Sequence, residues 1–107
     1  MKYLIDVSAE FGKSLKEIAK NQRSIKQDIK KLGESLAENP HQGILIKENT
    51  YKIRMAITSK GRGKSGGARV ITYVIDEDET VVLIDIYDKS EQENISDSRI
   101  QYIIDNL

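Results

Sequence analysis

Basic side chains crowd the middle of the chain. Lys47, Lys52, Arg54, Lys60, Arg62, Lys64 and Arg69 face Glu48 alone there, although the formal net charge of the whole is zero. Fixed positive charge at this density suits a phosphate-bearing partner. The sign then reverses: from Asp76 to Asp97 the acids Asp76, Glu77, Asp78, Glu79, Asp85, Asp88, Glu91, Glu93 and Asp97 face only Lys89. Inside the basic stretch, Gly61-Arg62-Gly63-Lys64-Ser65-Gly66 has the letters of a GxGxxG dinucleotide fingerprint. That site needs a helix N-terminus after the glycines to hold a pyrophosphate, and Ala68 to Ile75 has the pattern of a strand. Gly63-Lys64-Ser65 imitates the end of a P-loop, but Thr58 stands where its first glycine belongs. What remains is a flexible cationic hairpin loop in which Lys60, Arg62 and Lys64 are candidate contacts to phosphate.

Other chemistries are removed by composition. There is no cysteine and only one histidine, His41. Thiol nucleophiles, disulfides, thiolate zinc sites, a histidine acid-base pair and a histidine metal cluster are therefore excluded within one chain. Consecutive acids at Asp76-Glu77-Asp78-Glu79 diverge in a tight turn and lack the spacing of a calcium loop. No metal and no cofactor are expected. His41 reads as an ordinary loop residue. Tyr73 and Tyr87 have rings able to stack on bases, although a strand tyrosine usually serves packing.

The elements that must position these groups follow from periodicity. At 107 residues the chain fits one domain, 1–107. The apolar run before Asp6 is far too short for a signal peptide or membrane span, so a cytoplasmic protein with no membrane partner is expected. Tyr3 to Asp6 reads as a first strand, and Ser8 as the N-cap of a helix carrying Phe11, Leu15 and Ile18. A second helix starts at Ser24, with Gln27 completing a capping box, and puts Ile25, Ile29, Leu32 and Leu36 on one face. Asn21-Gln22-Arg23 is the expected turn, one continuous helix being the alternative, and Asn39-Pro40 ends the second helix.

Beyond His41-Gln42-Gly43 the period changes to two. Tyr51, Ile53, Met55 and Ile57 alternate with Lys52, Arg54, Ala56 and Thr58, which sets Lys52 and Arg54 side by side on the face away from the apolar stripe. Ala68 to Ile75 and Thr80 to Tyr87 are apolar on both faces, as central strands are, and should form an antiparallel hairpin. Ser96 to Leu107 reads as a terminal helix. The fold class is α+β: an N-terminal strand and helix pair packed on one side of an antiparallel sheet, with a short C-terminal helix.

Asn39-Pro40, Gly43, Tyr51-Lys52-Ile53-Arg54, the loop Lys60 to Gly67, Ala68-Arg69-Val70-Ile71-Thr72-Tyr73 and Ile86-Tyr87-Asp88-Lys89-Ser90-Glu91 together resemble the RelE superfamily of toxins, nearest to its HigB branch. The resemblance implies the same α+β fold and the toxin half of a toxin-antitoxin pair. It implies an endoribonuclease that cuts mRNA in the ribosomal A site, with rRNA contacts, and is held inactive by a cognate antitoxin. By the same resemblance, Lys52, Arg54 and Arg69 match the family's catalytic basic residues and Lys89 a C-terminal basic position. The C-terminal tyrosine of RelE has no counterpart in Glu93-Asn94-Ile95-Ser96, which leaves Tyr87 as the substitute candidate.

The chemistry is consistent with those residue types. A 2'-hydroxyl attacking the adjacent phosphate needs a base, cations for the doubly charged pentacoordinate state and an acid for the leaving oxygen. A lysine with a pKa of about 10.4 is a base at neutral pH only when perturbed, and Arg54 and Arg69 beside Lys52 push in that direction. Two other readings remain: a ParE-like inhibitor of DNA gyrase, which shares the fold but has no need of these clustered cations, and a non-catalytic RNA-binding module. The three cations are expected to be exposed together on one concave face, with Ile53, Met55 and Ile57 buried beneath the helices.

Overall fold

The computed structural model describes residues 2–107; Met1 lies outside them. Among the described residues the order is β1 (Leu4–Val7), α1 (Ala9–Ala19), α2 (Ile25–Glu38), β2 (Ile44–Lys47), β3 (Thr50–Met55), β4 (Ala68–Ile75), β5 (Thr80–Asp88) and α3 (Asp97–Asp105). The strands form one sheet in the order β1-β5-β4-β3-β2. The pairs β2–β3, β3–β4 and β4–β5 are antiparallel. β1 runs parallel to β5, an orientation the strand patterns did not disclose.

Two apolar layers hold the sheet. On one face, Phe11 and Ile18 of α1 and Ile25 and Leu36 of α2 bury Ile53, Met55, Val70, Val74, Val81 and Leu83. Ile57, just beyond β3, belongs to the same core, so the expected burial of Ile53, Met55 and Ile57 is met. On the opposite face, Ile100 and Ile103 of α3 join Ile95 over Ile71, Val82 and Ile84. The expectation that helices cover one side only is thus corrected. Strands β4 and β5, apolar on both faces, need a cover on each side, and α3 supplies the second.

Local sequence explains most boundaries. Ser8 and Ser96 each accept a hydrogen bond from the amide three residues on, ordinary N-cap geometry. Ser24 precedes α2 as expected but forms no capping box. Its hydroxyl instead donates to Asp28 and accepts from the Ser59 amide, tying the helix start to the segment after β3. The hairpin turn Asp76–Asp78 is a short 3-10 turn closed by Glu79 in the left-handed region. Strand β2, which no alternation in the sequence announces, is short and exposes Ile44 and Leu45 on the sheet edge, so it carries no buried-face signal. Gly43 just before it has φ +97, and a side chain there would collide with the Lys52 carbonyl.

Strand β5 carries a bulge. Ile71 pairs with Asp85 and Thr72 with Leu83, leaving Ile84 as the extra residue. The buried Asp85 carboxylate accepts from Ser14 of α1 and from Arg99 Nε of α3 at 2.8 Å, so one side chain links the helices on the two sides of the sheet.

Candidate functional site

The antiparallel register sets three of the basic-site residues in one row. Arg54 on β3 lies directly opposite Arg69 on β4, and Arg69 directly opposite Tyr87 on β5. Directly paired residues share a face, so these side chains leave the sheet together. Two arginines facing each other across strands repel, and a fold gains nothing in stability from the arrangement. Lys52 stands two residues from Arg54 on the same face of β3, opposite Ile44 and Ile71. Lys52, Arg54 and Lys64 line a groove of about 580 Å³ at the β3 edge, whose far wall is α2 with Asp28, Lys31 and Leu32.

Exposure divides the set. Arg54 is exposed and Lys52 half-buried, whereas Arg69 is only 5 % exposed. The expected common exposure of the three cations is corrected on that point. The segment after β3 folds back, and the Arg69 guanidinium Nη1 donates to the carbonyls of Lys64 at 3.1 Å and of Ala68 at 3.2 Å. No carboxylate pairs with it among the described residues. Tyr87 beside it is buried, and its hydroxyl has no hydrogen-bond partner among the described residues. Burial pushes the Tyr87 hydroxyl above its ordinary pKa, partly opposed by the Arg69 charge. At neutral pH this group keeps its proton.

The loop residues separate as well. Lys64 and Arg62 project to solvent. Lys60 turns inward: its ammonium lies 2.6 Å from Asp88 Oδ1 and also donates to the Gly66 carbonyl and Ser90 hydroxyl. Burial pushes the Asp88 carboxyl up, but Lys60 and the Ser90 hydroxyl and amide outweigh it and hold the group below its ordinary value. The segment expected to be a flexible loop is a pair of 3-10 turns, Thr58–Lys60 and Lys64–Gly66. Lys89 pairs with Glu93 at 3.2 Å, just past the end of β5 and two residues beyond Tyr87. His41 sits away from this face and hydrogen-bonds Asp76 at 2.9 Å, a connecting role in the turn.

Sequence patterns missed two further groups. Lys31 is on the lysine-rich face of α2, indistinguishable by pattern from a solvated helix face, yet it borders the groove. Asp28 is buried and accepts from the Thr58 hydroxyl and amide and from Ser24. Its four-residue spacing from Ser24 was the available signal. Groups of three or more acidic or histidine side chains fit to hold a metal ion are absent among the described residues. No helix of the described residues is long and apolar enough to cross a membrane.

Comparison with known proteins bears on the family and the fold. The family model of the ParE toxin of the type II toxin-antitoxin system parDE matches residues 5–93. The fold is similar to that of a free E. coli RelE toxin carrying two arginine substitutions, with TM-score 0.63, 21 % identity, and coverage of 100 % of this chain and 99 % of that one. It is similar also to a chain of the intact E. coli RelBE toxin-antitoxin complex, with TM-score 0.59, 26 % identity, and coverage of 80 % and 95 %. A chain of the RelBE2 toxin-antitoxin complex of Mycobacterium tuberculosis matches with TM-score 0.60 and 16 % identity over 82 % and 92 %. On the match over most of its length, the chain belongs to the ParE toxin family of the RelE/ParE superfamily, the toxins of type II toxin-antitoxin systems.

Proposed function

We propose that this toxin is a metal-independent endoribonuclease that cuts mRNA on the ribosome and so inhibits translation. The observation that carries the reading is the row Arg54–Arg69–Tyr87 on one face of the sheet, flanked by Lys52. A row of cations ending in a protonated hydroxyl matches the needs of phosphoryl transfer with the RNA's own 2'-hydroxyl as nucleophile. In this reading Lys52 is assigned as the base for the 2'-hydroxyl as the new O–P bond forms. Arg54 and Arg69 stabilise the charge on the pentacoordinate phosphorus. Tyr87 returns a proton to the departing 5'-oxygen, with Lys89 as an added cation nearby. The products are a 2',3'-cyclic phosphate and a 5'-hydroxyl. In the free chain Arg69 and Tyr87 are largely buried, and Arg54 is the exposed member of the row.

Arg62 and Lys64 are assigned to the RNA backbone. The partner that restrains the toxin is a cognate antitoxin, as the solved toxin-antitoxin complexes of similar fold support. The ParE name of the matching family model favours gyrase inhibition as the second reading. Purified toxin added separately to programmed ribosomes and to gyrase with relaxed plasmid discriminates them. Cut message supports the first reading, and intact message with blocked supercoiling replaces it by the second.

A further inference from the structure

We propose that Lys60 is a positioning residue that fixes the 61–67 segment, and through it Arg69, rather than a contact to RNA. The kinetic part of this proposal rests on the nuclease reading; the structural part does not.

A lysine that grips phosphate keeps its ammonium in water until the ligand arrives. Lys60 is built the opposite way. Its side chain is 13 % exposed and that of its partner Asp88 6 %. An ammonium has three donors, and this one meets three acceptors: Asp88 Oδ1 at 2.6 Å, Ser90 Oγ at 3.1 Å and the Gly66 carbonyl at 3.3 Å. Asp88 Oδ1 is shared further, accepting the Ser90 amide at 3.0 Å and hydroxyl at 2.8 Å. Nothing is left on Lys60 for a phosphate.

The location of the cluster gives it a use. Lys60 stands where the chain enters the glycine-rich segment, Gly66 where it leaves, and Asp88 and Ser90 at the end of β5. The exit is fixed a second time, because the Lys89 amide donates to the Gly67 carbonyl at 3.0 Å. Between the two ends lies Lys64, whose carbonyl takes Arg69 Nη1. The path of contact thus runs from Lys60 through the segment it ties down to the Lys64 carbonyl and the buried guanidinium. A buried ion pair is weak evidence for stability and is better explained by the geometry it specifies. Here the specified geometry is that of a cation in the middle of the Arg54–Arg69–Tyr87 row.

Three variants test the assignment: Lys60→Met, the double variant Lys60→Met with Asp88→Leu, and Lys20→Met, which removes only an exposed ion pair with Glu17. The single variant strands a buried carboxylate and is expected to melt early, so the double variant decides. It should melt close to the parent, yet its 61–67 amides should exchange with solvent at least about tenfold faster, and its single-turnover cleavage at saturating ribosomes should slow at least about tenfold with unchanged half-saturation, as for a displaced catalytic group. Lys20→Met should match the parent throughout. A double variant with parental exchange and parental rate overturns the proposal. So does one whose half-saturation rises while its rate holds, since that is the behaviour of a phosphate contact. If the parent itself cuts nothing, the nuclease reading fails, and loop exchange alone still upholds or overturns the positioning role.

Discussion

Replacing Arg69 by methionine should leave the toxin about as stable as the parent while slowing the proposed cleavage about a hundredfold or more. The guanidinium has five N–H donors, and its two hydrogen bonds both come from Nη1, to the carbonyls of Lys64 and Ala68. It is 5 % exposed and has no acidic partner among the described residues. Burying an unpaired cation costs several kcal/mol. Two charge-assisted hydrogen bonds return about 1.5–3 kcal/mol each, which roughly cancels that cost. A methionine is shorter and its apolar atoms largely replace methylenes already buried, so it adds only part of the about 1.5–3 kcal/mol of a fully buried apolar side chain, and the two carbonyls lose a donor. A net change within about 1 kcal/mol of zero moves the melting temperature by no more than roughly 4–8 °C in a domain of this size. The same substitution removes the donors that Lys64 and Ala68 leave free, those assigned to the phosphate. Loss of one preorganised donor costs about a hundredfold or more in rate, roughly 2.7 kcal/mol. Circular dichroism melts and single-turnover cleavage on programmed ribosomes measure the two effects on the same samples. A melting temperature lowered by more than roughly 10 °C, well over 1 kcal/mol of lost stability, or cleavage at the parental rate would rule out this role for Arg69.

Three other outcomes follow from particular contacts. Lys64→Ala should raise the ribosome concentration for half-saturation and lower the slope of log affinity against log salt by about 0.7–0.9, with the chemical step nearly intact; a changed rate at saturation would count against a purely phosphate-gripping role. For Asp28, burial pushes the carboxyl up, but hydrogen bonds from Thr58 and Ser24 outweigh it and leave its pKa below the ordinary 3.8. Its contribution is therefore complete above pH 3.8 and is lost as the pH falls through the lower folded value, so Asp28→Asn should destabilise by about 1–3 kcal/mol at neutral pH, and the gap in denaturant stability should close under strong acid. Gly67→Ala should destabilise by about 1–3 kcal/mol or more, since a Cβ there would run into the Met55 carbonyl oxygen and the Ala56 Cα; an unchanged urea midpoint would contradict that packing.

How far the sequence could be read depended on whether a residue's neighbours were local. The alternation from Tyr51 to Thr58 announced β3 and the shared face of Lys52 and Arg54, because a strand period is set by the chain itself. The double-sided apolar runs at β4 and β5 announced central strands and, taken further, required a cover on both faces, which α3 provides. The pairing of Arg54 with Arg69 and of Arg69 with Tyr87 is a matter of register between strands, which no spacing along one strand determines. Lys60 illustrates the limit most plainly. By type and position it looks like Lys64, and only the fold brings Asp88, 28 residues away, within 2.6 Å of it. Arg69 likewise carries no sequence mark of burial, since the segment that covers it is glycine-rich and polar. The parallel β1–β5 pair was illegible for the same reason: its partners are separated by most of the chain.

End-group analysis of message cut on programmed ribosomes decides whether the basic row cleaves RNA by attack of the 2'-hydroxyl. Purified toxin should yield fragments with a 2',3'-cyclic phosphate and a 5'-hydroxyl, and a single 2'-deoxy nucleotide at the cleavage position should abolish cutting there. Fragments bearing a 5'-phosphate, undiminished cutting of the 2'-deoxy message, or intact message under conditions where the toxin blocks gyrase would contradict that mechanism.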